Sequence, residues 1–323
     1  MVHSQLTGHE NISSTTSHRN EQIIFGVFSS VSIVAQIVII GVILKNKDLR
    51  TTSFYMLNVA LGFTDIGTIL SHYIFQRFSQ YGLFMNSFYL YFGNYNIFAE
   101  ICTNGFSFFK ALQKYYLIVI GLNRFTAIVL PFLYSLWTPR NTLLLIASIE
   151  VATIIPHIVV GSLTSSFYVN TNNTLHCTMD NKEIFGVHLG YMIFQPAVAA
   201  VILVAINAVI FGVLAANRHK MKTANSSSQS RYLVEVKLAL VVAIHVILLL
   251  GDSIAGIYTF IMQKPEMMPI IYVIQDILCG CNPYLLVMFS SDLRRKVFWF
   301  VKSRKTNDIV VTTFSSNSKI VNP

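Results

Sequence analysis

Residues 23–44 read IIFGVFSSVSIVAQIVIIGVIL, a continuous run without a single charged side chain. A bilayer core about 30 Å thick needs roughly 20 apolar helical residues to cross it. Further runs of this kind follow, and their continuity favours helices over the alternating strands of a membrane barrel. The sequence therefore predicts an all-α membrane protein, a bundle of seven transmembrane helices. The predicted spans are Ile23–Leu44, Ser53–Tyr73, Ile97–Ile118 (running on to Ile128), Thr142–Leu163, Gly186–Leu214, Leu238–Tyr258 and Pro269–Phe289.

The composition agrees with a lipid-facing exterior. The 323 residues are 54% hydrophobic and 11% charged, whereas soluble domains carry about 25% charged residues. The net charge is +9, but the basic residues flank apolar runs and do not alternate with aromatic side chains. That arrangement excludes nucleic acid as a partner and favours the lipid bilayer.

Lys and Arg residues collect on one side of the predicted bundle. Seventeen of the 23 flank the spans on the side that carries Arg124, and four lie on the other side. Because the basic side faces the cytoplasm, we predict a plasma-membrane protein with an extracellular N-terminus and a cytoplasmic C-terminus. The predicted divisions are an extracellular tail at 1–22, a seven-transmembrane domain at 23–305 and a disordered cytoplasmic tail at 306–323.

Sequons and cysteines fit this orientation. Asn11 and Asn172 begin glycosylation sequons on the predicted outside. Cys102 lies at the outer end of the third span and Cys177 in the loop after the fourth, so both face an oxidising compartment. A disulfide between them is the preferred interpretation, and two unrelated thiols are the alternative.

Polar side chains recur inside five spans at helical spacing. Residues seven apart lie almost on one face of a helix, and charge inside the bilayer needs an interior position and a partner. We therefore expect these stripes to point at a common interior. They are Asn58, Asp65 and His72; Thr103, Ser107, Lys110 and Lys114; Glu150 and His157; His245 and Asp252; and Tyr272, Asp276, Cys279 and Pro283.

Lys110 and Lys114 stand one helical turn apart and repel each other, so they need acidic partners. Four candidates are open: Asp276, Asp252, Glu150 and Asp65. Lys110 lies at a depth that suits a pocket open to the outside and a small acidic or polar ligand. A purely structural ion pair is the alternative. The candidate ligand-binding residues are Ser107, Lys110, Lys114, Asp252, Tyr272 and Asp276.

The third span ends in LNRFTAIVLP at residues 122–131, and the seventh contains CNPY at residues 281–284. With the seven spans, these segments resemble a rhodopsin-like G-protein-coupled receptor, and most closely the nematode serpentine chemoreceptors of the class gamma and class V superfamily. By that resemblance Asn123, Arg124, Asn282, Pro283 and Tyr284 are coupling or switch residues. The chain departs from the rhodopsin pattern in three ways. Asn123 replaces an acid, Tyr284 directly follows Pro283, and the sixth span has neither Pro nor Trp.

The resemblance implies a chemosensory receptor in a sensory-neuron membrane that binds a small extracellular ligand and signals to a heterotrimeric G protein. It also implies no enzymatic activity, cofactor or metal, and it leaves the oligomeric state open. A small-solute transporter is the alternative, although the two halves show no internal repeat. After the seventh span, basic residues alternate with Val297, Phe298 and Trp299, which predicts a short amphipathic helix along the cytoplasmic membrane surface.

Overall fold

The computed structural model describes residues 3–80, 83–91, 93–171, 174–222, 226–262 and 268–299, and seven helices in these ranges form the predicted bundle. Six are long and apolar enough to cross a membrane; the third, which carries Lys110 and Lys114, is less apolar. The first is His3–Lys45, whose apolar part begins at Ile24. The others are Ser53–Ser71 with its continuation His72–Arg77 and Phe78–Gln80; Ile97–Glu100 with Ile101–Gly105 and Phe106–Ile128; Pro139–Leu163; Lys182–Lys222; Ser226–Met262; and Met268–Phe289.

Two helices begin at caps that the sequence supplies. The side chain of Asn96 accepts hydrogen bonds from the backbone amides of Phe98 and Ala99, which would otherwise be unpaired at the start of the third helix. Thr138 caps the fourth helix in the same way, and Pro139 follows in the first turn, where its missing N–H costs nothing. The fourth helix therefore begins at Pro139, ahead of the predicted Thr142.

The second and third helices each contain a π-helical turn, at His72–Arg77 and Ile101–Gly105. Such turns interrupt the regular 3.6-residue spacing and are frequent at functional sites. The turn in the second helix carries Arg77 into the bundle, where it is only 4% exposed. Arg77 is one of the four Lys and Arg residues that were counted from the sequence in connections on the extracellular side. That placement was wrong, because the helix continues past the apolar run.

A β-hairpin closes one end of the bundle, which we call the hairpin end. Strands β1 (Ser166–Thr171) and β2 (Thr174–Met179) pair antiparallel, with Tyr168 opposite Cys177. Cys177 forms the predicted disulfide with Cys102, and the two Cα atoms lie 6.3 Å apart.

Burial raises the pKa of the Tyr89 phenol to about 12, so this hydroxyl stays protonated and donates to the Ile74 carbonyl.

The opposite end, which carries Arg124, is called the basic end. A short helix at 291–299 follows the seventh span there, as predicted. Leu293 is buried and Val297 packs against the main core, whereas Phe298 and Trp299 are exposed. Exposed aromatic side chains beside basic residues suit the interface between lipid tails and headgroups.

Several predicted features fall beyond the described part of the chain. Asn172 and the tail at 306–323 lie outside the described residues, as does the side chain of Asn11. Between the two ends, every span except the fourth contributes buried apolar side chains to the main core. Gly67 allows the ring of Phe109 to approach its helix closely.

Loss of the disulfide is expected to destabilise the hairpin end. Cys177→Ser should lower the free energy of unfolding by about 2–5 kcal/mol, because the hairpin is then tied to the third helix only by weaker contacts. Thermal unfolding of the purified chain and its surface expression measure this. Cys281→Ser, which changes a free thiol, is the control; equal behaviour of the two variants would contradict the prediction.

Candidate functional site

A cavity of about 800 Å³ opens below the hairpin, between the second, third, fifth, sixth and seventh helices. Its volume lies within the usual range for small-molecule sites, about 300–1,000 Å³. The hairpin contributes His176 and Cys177 to its rim. Most of the wall is apolar or aromatic, and the polar lining includes Gln76, Thr103, Ser107, Lys110, His188, Asp252, Thr259 and Tyr272.

The two lysines share one carboxylate on the sixth helix. The ammonium nitrogen of Lys110 lies 3.5 Å from Oδ2 of Asp252, and that of Lys114 lies 3.7 Å from the same oxygen. Lys114 is fully buried, whereas Lys110 lines the cavity. Of the four partners left open by the sequence, Asp252 is thus the one in contact with both lysines.

Asp276, on the seventh helix, has a different partner. The Arg77 guanidinium lies 2.8 Å from its Oδ2, the Tyr73 hydroxyl donates to the same oxygen at 3.0 Å, and His72 approaches its Oδ1 to 3.8 Å. Tyr272 lies beside this cluster and accepts a hydrogen bond from Gln76. The structure thus places Tyr272 at the cavity wall, whereas Asp276 is not among the lining residues and is separated from the lysines. Arg77 is a residue that sequence reasoning missed.

A buried amide network extends from the lysines toward the middle of the bundle. Lys114 donates to the side-chain oxygen of Gln113 at 3.2 Å, and the side-chain amide of Gln275 donates to the same oxygen at 2.8 Å. The Gln113 amide donates to Asp65 at 2.6 Å, and Asn282 donates to the other carboxylate oxygen at 3.2 Å. Gln113 and Gln275 were not singled out from the sequence. An uncharged amide inside an apolar span could have indicated an interior position for each of them.

The fourth helix corrects one expectation. His157 is buried, but Glu150 is exposed on the side of the bundle and accepts a hydrogen bond from the buried Tyr116 at 3.0 Å. The fourth helix touches the bundle along a narrow strip, and Glu150 lies at the edge of that strip. Its predicted interior position is therefore wrong. Ser107, by contrast, lines the cavity and pairs with His188 at 2.8 Å.

At the basic end, Arg124 is held on several sides. Its guanidinium lies 3.2 Å from Glu235 of the sixth helix, donates to the Asn123 side chain at 2.7 Å and stacks 4.4 Å from the centroid of the Phe54 ring. Asn123 in turn donates to Ser53 at 3.0 Å. The amide at position 123 cannot supply an anion, so the sixth helix supplies it through Glu235, a residue that the sequence did not single out.

The two ends of the seventh-helix motif face different ways. Asn282 and Pro283 are buried, and Asn282 contacts Asp65. Tyr284 is 41% exposed, and its hydroxyl lies 3.4 Å from Ser32 of the first helix. The structure therefore brings Asn282, but not Tyr284, into the polar network that reaches the cavity.

Comparisons with known proteins match these features. Residues 25–303 match the family described as serpentine type 7TM GPCR chemoreceptor Srv. Serpentine receptor class V-1 of Caenorhabditis elegans is 22% identical over 258 residues, which cover 78% of this chain and 80% of that protein. The crystal structure of squid rhodopsin superposes with a TM-score of 0.65 at 14% identity, over 93% of this chain and 91% of that one.

A double-mutant cycle tests the ion pair at the cavity. Lys110→Met and Asp252→Asn should each lower the thermal unfolding midpoint, because each removes a partner of opposite charge from a buried ion pair. Their effects should fall short of additivity by an interaction energy of about 0.5–3 kcal/mol. Lys110→Met combined with Asp276→Asn is the control and should be additive; coupling to Asp276 but not to Asp252 would contradict the assignment.

Proposed function

We propose, because the chain belongs to the Srv family of serpentine seven-transmembrane chemoreceptors, that it binds a small extracellular ligand in the cavity and signals to a heterotrimeric G protein. The family is a class of receptors and not of enzymes, and the chain has the seven-helix fold of squid rhodopsin. The ligand, the coupling and the orientation are the parts that we propose.

In the proposed orientation the hairpin end faces outside and the basic end faces the cytoplasm. The Lys and Arg distribution supports this, since the basic side of a membrane protein is the cytoplasmic one. The Cys102–Cys177 disulfide supports it as well, because such bonds persist in oxidising compartments. The cavity then opens to the extracellular space of a sensory cell.

One observation carries the proposed coupling: ion pairs tie the third helix to the sixth at both ends. Near the cavity the tie is Lys110 and Lys114 with Asp252, and at the basic end it is Arg124 with Glu235. A ligand that binds better when the first tie is open shifts the population of helix arrangements. Because both ties lie on the same two helices, opening the first favours opening the second, which frees Arg124 for a G protein.

The Arg124–Glu235 tie gives a direct test in cells. Glu235→Gln should raise basal second-messenger signalling several-fold, because the neutral amide holds Arg124 less strongly. Arg124→Ala should abolish both basal and ligand-dependent signalling at matched surface expression. The assay measures the second messenger in cells that express the chain with a panel of G proteins and are exposed to pooled small odorants.

Lys237→Gln, two residues along the same helix, is the matched control and should signal as wild type. Equal signalling by wild type, Glu235→Gln and Arg124→Ala would contradict the proposed coupling. Solute uptake across the same membranes would then favour the transporter alternative.

A further inference from the structure

We infer that Lys110 is an anion-binding site, that Asp252 is its internal occupant, and that the receptor is switched by a small monocarboxylate that competes with Asp252. This inference rests on the proposed function and narrows the class of ligand. It follows from how the charges around the cavity are paired.

The other buried carboxylates near the lysines already have partners. Asp276 is held by Arg77 and Tyr73, and both oxygens of Asp65 accept hydrogen bonds from side-chain amides. Of the carboxylates in the described part of the chain, Asp252 is the one within ion-pair distance of the lysines. Two ammonium groups therefore share a single carboxylate at the wall of the cavity.

The ion pair between Asp252 and the lysines is incompletely bonded. Neither oxygen of Asp252 accepts a hydrogen bond from a residue in the described ranges, although Asp252 is only 3% exposed. Among the described residues, Lys110 has no hydrogen-bond acceptor either, since its distance of 3.5 Å to Asp252 is that of an ion pair only. Buried charges normally find hydrogen-bonding partners, so this cluster has unused capacity for a ligand.

A molecule in the cavity can reach only one of the two lysines directly. Lys110 lines the cavity, whereas Lys114 is fully buried, so a molecule in the cavity meets Lys110. Asp252 is the one acidic side chain among the described residues that line the cavity. An incoming carboxylate would bind Lys110 and leave Asp252 to Lys114. An incoming amine would be repelled by both lysines, and a neutral amide would lack the charge to compete with Asp252.

The rest of the wall defines the body of the ligand. Phe106, Leu189, Met192 and Ile193 line the same cavity as Lys110, and the Lys110 ammonium lies 5.6 Å from the centroid of the Phe106 ring. Such a wall suits an apolar chain and leaves a single charged group to be recognised. The expected ligand is therefore a monocarboxylic acid with an apolar tail.

The decisive experiment uses a carboxylate probe on the purified full-length chain in lipid nanodiscs. Asp252→Ala removes the internal carboxylate and leaves space at the lysines, so it should lower the thermal unfolding midpoint. Sodium acetate or formate should restore at least half of that loss, whereas acetamide or sodium chloride at the same concentration should not. Asp252→Asn fills the same space with a neutral amide and is the matched control, which acetate should leave unchanged.

Rescue by acetate should disappear in Asp252→Ala combined with Lys110→Met. Failure of acetate and formate to rescue Asp252→Ala, or rescue that persists without Lys110, would overturn the anion site. If Asp252→Ala does not fold, wild type and Lys110→Met decide the matter. Straight-chain carboxylates of two to eight carbons should raise the unfolding midpoint of wild type only, and the matching amides and amines should not.

Stabilisation of wild type by amines or amides, or by none of the three series, would overturn the ligand class. G-protein nucleotide exchange separates this inference from the proposed function. If Asp252→Asn raises exchange while no carboxylate binds, the receptor signals but its ligand is of another class. If acetate rescues Asp252→Ala while Asp252→Asn exchanges as wild type, the anion site stands and the proposed coupling falls.

Discussion

The cost of placing charge inside a bilayer is the constraint on which this bundle depends. A lysine, arginine or aspartate at the centre of a membrane helix costs about 2.5–3.5 kcal/mol on insertion scales, so each must meet a partner across a helix interface. Lys110 and Lys114 bring the third helix against Asp252 of the sixth, and Arg77 brings the second against Asp276 of the seventh. These pairs fix which faces of four helices point inward, and the cavity lies between them.

The same constraint connects the two ends of the molecule. A tie made of buried charges is either closed or replaced by another partner, because an intermediate separation leaves a charge without compensation. The third and sixth helices carry one such tie below the hairpin, and at Arg124 they carry a second ion pair, in which the Glu235 side chain is 35% exposed. Between them, Gln113 links Lys114 to Asp65, and Asp65 contacts Asn282. A change of partner at the cavity therefore has a polar route toward the basic end, which is the basis of the proposed switch.

Much of this fold is predictable from the sequence, because run length and charge count report directly on membrane spans. The disulfide also follows from position along the chain, whereas the role proposed for Arg124 comes from the resemblance of residues 122–131 to the serpentine chemoreceptors. Helical spacing gives the polar face of each helix but not its rotation against its neighbours, so Asp252 and Asp276 could not be told apart as partners of Lys110. The π-helical turns shift the spacing, which hid Arg77, and Glu150 lies just beyond the strip where its helix touches the bundle. The sequence did not single out Glu235, because this residue lies in the basic segment that precedes the sixth apolar run.

We propose that the two ties between the third and sixth helices open together. Distance measurement between spin labels at Leu122→Cys and Leu233→Cys, both exposed near the basic end, tests it in a Cys281→Ser background. We expect one short distance between the labels with Asp252 present, and a second population of distances longer by several ångströms in Asp252→Asn. Identical distance distributions in the two proteins would show that the cavity tie does not control the basic end, and would contradict the account.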